Sequence, residues 1–191
     1  NSLALVSSLV RMQGSAVTDP AAKSALAETQ ARIAAIANLH RSLYTSDDVR
    51  MVDLGVYLGE LVADLGHSMS ASGQTPEIKV DVGSLQIKTD KAVSLGMIVT
   101  ELVTNSLRHA SPLADRTVRI HWKARGDAVE IEVSDGGAET EPAPAPRQVW
   151  ATSGRGLRIV RSIAHEWGVQ RDEKQTTVWA ALGGPSRRRV G

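Results

Sequence analysis

Three short clusters in the chain have residue types and spacings that could do chemistry. Glu101, Asn105 and Arg108 follow one another at intervals of four and three residues, which puts them on one face of a helix. An acid, an amide and a cation aligned in this way suit a metal-bound polyphosphate. The Asn oxygen can ligate Mg2+, the Arg can meet phosphate oxygens, and the Glu can orient or deprotonate an attacking group. An exposed helix face can also carry these residues with no ligand at all. The second cluster is Asp135-Gly136-Gly137. A carboxylate there can accept a hydrogen bond from an adenine amino group while the glycines let backbone approach a flat ring, although Asp-Gly is also a common turn pair. The third is Gly154-Arg155-Gly156-Leu157 at the start of a predicted helix, where free N–H groups and the positive dipole end attract an anion. No Walker-type lysine loop occurs in the chain, so an ordinary P-loop is excluded.

The elements that must position these clusters follow from periodicity. Asp90 to Ala110 is predicted as a helix with Leu95, Ile98, Val99 and Leu102 as its buried stripe, opposite the polar trio. Val118, Ile120 and Trp122 alternate with Arg119, His121 and Lys123. Gly126-Asp127 marks a turn, and Val129, Ile131 and Val133 alternate with Glu130 and Glu132, a hairpin with one wet face that ends at Asp135. Shorter strands are expected around Ile78-Val82 and Leu85-Ile87, and a final one at Thr176–Leu182. Residues 136–154 hold Gly, Pro and Ala without period, a long loop of the functional kind, and a helix is expected at about 156–167.

Upstream, the pattern is helical. An apolar arc runs from Asn1 to about Ala16, Thr18-Asp19-Pro20 signals a helix start with Asp19 as N-cap, and residues 20–44 show an apolar face of Leu26, Ile33, Ile36, His40 and Leu43. The short connection implies an antiparallel hairpin. Such a hairpin buries its apolar faces either against a second copy, as a four-helix dimer through residues 1–45, or against the rest of its own chain. A further helix begins after Asp53, with Leu54, Leu58, Leu61, Val62 and Leu65 on one side.

Composition narrows the function classes. The 191 residues carry 22 Lys+Arg and 21 Asp+Glu, a net charge of +1, which argues against a dedicated nucleic-acid binder. With no Cys, disulfides, thiol catalysis and Cys-based zinc sites are excluded. Aromatics make up 3% with no Phe, so the core rests on Leu, Ile, Val and Ala. No apolar run approaches the roughly 20 residues of a membrane span. The start at Asn1, without an initiator Met or a basic n-region, suggests a piece of a longer chain with no signal peptide.

Taken in order, the three clusters resemble the Bergerat ATP-binding fold of the GHKL superfamily, to which histidine kinases belong. Glu101-Leu102-Val103-Thr104-Asn105-Ser106-Leu107-Arg108-His109-Ala110 resembles the N box, Asp135-Gly136-Gly137 the G1 box and Gly154-Arg155-Gly156-Leu157 the G2 box, with the loop between the last two as the ATP lid. The first half resembles the dimerisation hairpin of sensor histidine kinases whose first helix opens His-Arg-x-Lys-Asn. Asn1-Ser2-Leu3 continues that motif, and Arg32 to Tyr44 resembles its second helix.

The resemblance implies an α+β chain: a helical hairpin (1–50, a dimeric four-helix bundle), an α/β sandwich of the Bergerat fold (51–184) and a tail (185–191). It implies the cytoplasmic core of a homodimeric sensor histidine kinase that uses ATP and Mg2+, phosphorylates a His just upstream of Asn1 and passes the phosphate to a response regulator. Glu101 would be catalytic and Asn105 would hold the metal. Arg108, His109, Asp135, Gly137, Gly154, Arg155, Gly156, Leu157 and Thr177 would contact nucleotide, and His40 would be structural. Two departures stand out. Glu139 occupies the place of a later G1 glycine, and Ile163–Val169 with Thr177-Val178-Trp179 resembles the ATP-binding domains of anti-sigma-factor serine kinases. Those domains bind a sigma factor or an anti-sigma antagonist. A histidine phosphotransferase with a decayed ATP site is the third possibility, and intact Glu101, Asn105 and Asp135 speak against it.

Overall fold

Asp53 ends one strand and opens one helix, and the fold grows from that junction. In the computed structural model the described residues are 10, 12–20, 22, 23, 26, 29, 30, 33, 51–69, 76–81, 83–126, 128–138 and 155–184. Strand β1 (Met51–Asp53) is followed at once by α1 (Leu54–Met69). The Asp53 carboxylate accepts from the Val56 amide at 3.1 Å, from the Ser84 hydroxyl, and from Gln86 Nε2 at 3.4 Å. It is therefore an N-cap that also ties down the neighbouring strand. The Ser84 hydroxyl, followed by the Val56 amide, holds its pKa below the ordinary carboxylate value.

The other elements are β2 (Glu77–Asp81), β3 (Gln86–Lys88), α2 (Thr89–His109), β4 (Thr117–Arg125), β5 (Ala128–Asp135), α3 (Arg155–Ile163), β6 (Glu166–Arg171) and β7 (Thr176–Leu182). Five strands form one sheet in the order β2-β4-β5-β7-β6, with β2 parallel to β4 and the other pairs antiparallel. A separate ribbon joins β1 to β3. The three helices share one core with one face of the sheet. Leu54, Leu58, Leu95, Ile98 and Val99 are fully buried with Ile120 and Ile131, and Leu157 and Val160 of α3 join the same cluster. On the opposite face of the hairpin, Lys123 pairs with Glu132 at 2.9 Å, the wet side that alternation predicts.

Two strands were not expected. β1 is three residues long, too short to show a period. β6 takes over the last two residues of the predicted 156–167 helix, which stops at Ile163, and runs on to Arg171. Gly168 explains the switch: a Cβ there would lie 2.8 Å from the Trp179 indole, so the large ring of β7 packs directly on glycine backbone.

Among the upstream residues, 12–16 are helical, 17–19 are not, and helix resumes at Pro20. Asp19 Oδ1 accepts from the Ala22 amide at 3.0 Å, as the Thr18-Asp19-Pro20 signal requires. A Cβ on Gly14 would lie 3.8 Å from Leu26 Cβ, so the two segments fold back on each other at their joined ends. The rest of that hairpin, His40 included, lies outside the described residues, as does the 185–191 tail.

Candidate nucleotide site

Asp135 is the last residue of β5, and its carboxylate is turned inward. It is 5% exposed. Ser106 Oγ of α2 donates to Asp135 Oδ2 at 2.6 Å, and the Gly137 amide donates to Oδ1 at 2.8 Å. Each oxygen thus has one protein donor and retains a second lone pair. That pairing fixes the orientation of a buried acceptor and leaves it able to take a further N–H.

The turn after Asp135 is locked by backbone. Gly136 N donates to the Ser111 carbonyl at 2.8 Å, and Ser111 N donates to the Gly137 carbonyl at 2.9 Å. A Cβ on Gly136 would lie 2.3 Å from the Pro112 carbonyl oxygen, so the segment after α2 is pressed onto this glycine. Gly137 has φ +83°, and a Cβ there would lie 2.9 Å from Thr176 Oγ1. Both positions demand glycine, one for space and one for both space and conformation.

The start of α3 closes the other side. A Cβ on Gly156 would lie 2.5 Å from Glu101 Oε2 and 3.5 Å from Asn105 Nδ2. Residues 55 positions apart in the chain therefore meet where the first turn of α3 leaves backbone N–H groups without helical partners. Glu101 is 5% exposed and Asn105 is half-buried. The polar trio is consequently not one open face opposite the stripe: α3 covers its Glu101 end, and Arg108 alone of the three is exposed. An Asn amide beside a glycine cradle at a helix start fits a Mg2+–polyphosphate group, since Mg2+ is commonly held by one or two protein oxygens together with substrate phosphates.

Of the sequence-predicted residues, Glu101 and Asn105 meet Gly156 at one point along α2, while Asp135 and Gly137 are joined to each other and, through Asp135, to Ser106 of the same helix. Arg108 and His109 lie at the exposed end of α2, and among the described residues no hydrogen bond or ion pair ties His109 to Glu101 or Asp135. Leu157 is 3% exposed and packs in the core, so its side chain anchors α3. Thr177 pairs with Ser134, and their hydroxyls are 2.8 Å apart. Because side chains alternate along a strand, Thr177 lies on the sheet face away from Asp135, and its neighbour Thr176 stands directly opposite Asp135. Gly154, the side chain of Arg155, Glu139 and the 139–154 loop lie outside the described residues.

Sequence reasoning missed Ser106, Thr176 and the clasp made by Ser111. A signal for Ser106 did exist. It falls four residues after Leu102 and seven after Val99, in line with the apolar stripe, and a polar residue on a buried stripe needs a partner.

Residues 1–69 match a family described as histidine kinase, and residues 79–182 match the histidine kinase-like ATPase domain family. The chain is 31% identical over 169 residues to the sensor histidine kinase PdtaS of Mycolicibacterium smegmatis, covering 85% of this chain and 32% of that protein. It is 25% identical over 177 residues to blue-light-activated histidine kinase 2 of Erythrobacter litoralis, covering 89% of this chain and 49% of the relative. It thus spans about a third of the one relative's length and about half of the other's. Among solved structures, the histidine kinase domain of an Erythrobacter litoralis blue-light activated histidine kinase superposes with a TM-score of 0.62 at 23% identity, over 95% of this chain and 87% of that one, which shows a shared fold. A buried acid at a strand end, a glycine clasp and a polar helix capped by a second glycine turn are thus set in a matching sequence frame, and the chain belongs to the histidine kinase-like ATPase domain family, here joined to a histidine kinase segment.

Proposed function

We propose that the chain is the ATP-binding core of a cytoplasmic two-component sensor histidine kinase. The observation that carries this reading is the contact of Gly156 with Glu101 and Asn105, which brings the polar helix to the start of α3. Asp135 would accept the adenine amino group, using the lone pairs that Ser106 and Gly137 leave available. Asn105 would hold Mg2+ through its amide oxygen, and the metal would neutralise phosphate charge. The first-turn amides of α3, with Arg108 and Arg155, would bind the phosphates. Glu101 would orient the attacking imidazole nitrogen, which bonds to the γ-phosphorus as ADP leaves. Its contribution is chiefly positioning and electrostatics, as is usual in phosphoryl transfer.

On this reading residues 1–50 form the dimerisation hairpin of a homodimer, 51–184 form the catalytic domain and 185–191 are a tail. The acceptor is a His of the hairpin's first helix in the full-length protein, and a response regulator collects the phosphate. The test incubates the full-length protein with labelled ATP and Mg2+. An acid-labile, base-stable phosphoryl group is expected on the wild type and not on Asn105→Ala or Asp135→Asn. An acid-stable label would instead mark a serine kinase of the anti-sigma type, and no label with an intact fold would refute kinase activity.

A further inference from the structure

The pairing register of β5, β7 and β6 sets three side chains in one row. Asp135 lies opposite Thr176, and Thr176 lies opposite Arg171; directly paired residues share a sheet face. Arg171 is the last residue of the edge strand β6. Its Nη2 donates to the carbonyl of Ala138 and lies 3.4 Å from the place a Gly137 Cβ would occupy. The guanidinium therefore grips the chain one peptide beyond the glycine whose amide donates to Asp135 Oδ1.

Glycine is the residue least able to hold its own conformation, and Gly137 sits at φ +83°. Its peptides stay in place through outside ties. Ser111 N holds the Gly137 carbonyl, and Arg171 holds the next carbonyl along. If the second tie is removed, the Ala138 carbonyl is released and the chain beyond Gly137 loses an anchor; the Ser111 bond then restrains Gly137 without its help, the Gly137 amide can drift off Asp135, and the carboxylate is left with Ser106.

We propose that Arg171 is a positioning residue for base recognition: through the Ala138 carbonyl it fixes the Gly137 amide and so aims the Asp135 carboxylate at the amino group of adenine. The assignment rests on the nucleotide reading above and deepens it. Its chemical consequence is selective. Adenine presents an amino group to a carboxylate, whereas guanine presents a carbonyl oxygen at the same ring position, so a well-aimed Asp135 favours ATP over GTP. Loss of aim should cost the base contact and spare the phosphate contacts, which lie on α2 and α3.

The experiment titrates Mg-ATP and Mg-GTP by calorimetry into the wild-type chain and into Arg171→Met and Arg171→Lys. Met keeps the aliphatic stem and removes every donor, and Lys keeps one cationic donor within reach of the Ala138 carbonyl. With Met, ATP affinity should fall about five- to tenfold, the scale of one net hydrogen bond, while GTP affinity stays unchanged and the unfolding transition stays cooperative, lower by only a few degrees. Lys should recover most of the preference for ATP. Wild-type preference retained in Arg171→Met, or an equal loss for both nucleotides, would overturn the assignment while leaving the nucleotide site standing. Failure of the wild-type chain to bind ATP at all would overturn the nucleotide reading and this assignment together.

Discussion

Replacing Gly136 by Ala puts the packing of the candidate site to a direct test. The added Cβ would lie 2.3 Å from the Pro112 carbonyl oxygen and 3.1 Å from that of Ser111. The first distance is about 1 Å short of ordinary contact, and both neighbours are backbone, so no side chain can swing aside. The clasp has to open, which strains or breaks the bonds from Gly136 N to Ser111 O and from Ser111 N to Gly137 O. Overpacking costs about 1–3 kcal/mol, and each of the two backbone bonds, if lost, adds about 1 kcal/mol, so a total of roughly 3–5 kcal/mol is expected. For a chain of this size that corresponds to a melting temperature lower by about 6–20 °C. Gly126→Ala is the matched control. Gly126 has φ +54° with nothing within 4 Å of an added Cβ, so only the left-handed penalty of roughly 1 kcal/mol applies. Thermal unfolding by circular dichroism, with ATP titration on the same samples, should rank Gly136→Ala well below Gly126→Ala in both stability and affinity. If Gly136→Ala melts within a degree of the wild type and binds ATP normally, the clasp around Asp135 does not exist as described.

Ser106→Ala removes a 2.6 Å bond to a buried carboxylate; a hydrogen bond to a charged group is worth about 1.5–3 kcal/mol, so calorimetry should find ATP binding at least tenfold weaker, and unchanged affinity would deny Ser106 its role. Arg116 carries φ +62° without being glycine, so Arg116→Gly should raise unfolding free energy in urea by up to about 1 kcal/mol, and a loss of stability would contradict the strain. The Thr117 hydroxyl, then Arg119, hold the exposed Asp115 carboxyl at about 2, below its ordinary 3.8. A depressed pKa contributes stability that is complete above the unfolded value and lost as pH falls through the folded one. The Asp115→Asn chain should therefore show a shallower decline in melting temperature between pH 4 and about 2, and parallel declines would refute that linkage.

How much of this was legible beforehand differs by element. The hairpin of β4 and β5, the helix carrying Glu101 and Asn105, and the final strand all announce themselves, because a sheet with one wet face imposes a period of two and a helix on a core imposes its own. The Asp19 cap could be read as well, since capping is a contact between residues three apart. β6 could not, because an edge strand built around Gly168 exists only where Trp179 lies against it. Within the site, the chemistry-bearing types were visible at Glu101, Asn105 and Asp135, yet the partners that aim them were not.

Sequence alone determined the longer helical and extended segments, though not β1 and β6, and which residues there can donate, accept or ligate, because those properties depend on neighbours a few positions away. Tertiary structure alone decided that Ser106 meets Asp135, that Thr176 and not Thr177 shares its face, that Gly136 must lack a side chain because Pro112 presses on it, and that Glu101 lies beneath Gly156. Each of these depends on register or close approach between segments far apart in the chain. A shift of one residue in strand register reverses every side chain, and no local pattern encodes which of two adjacent threonines will face in.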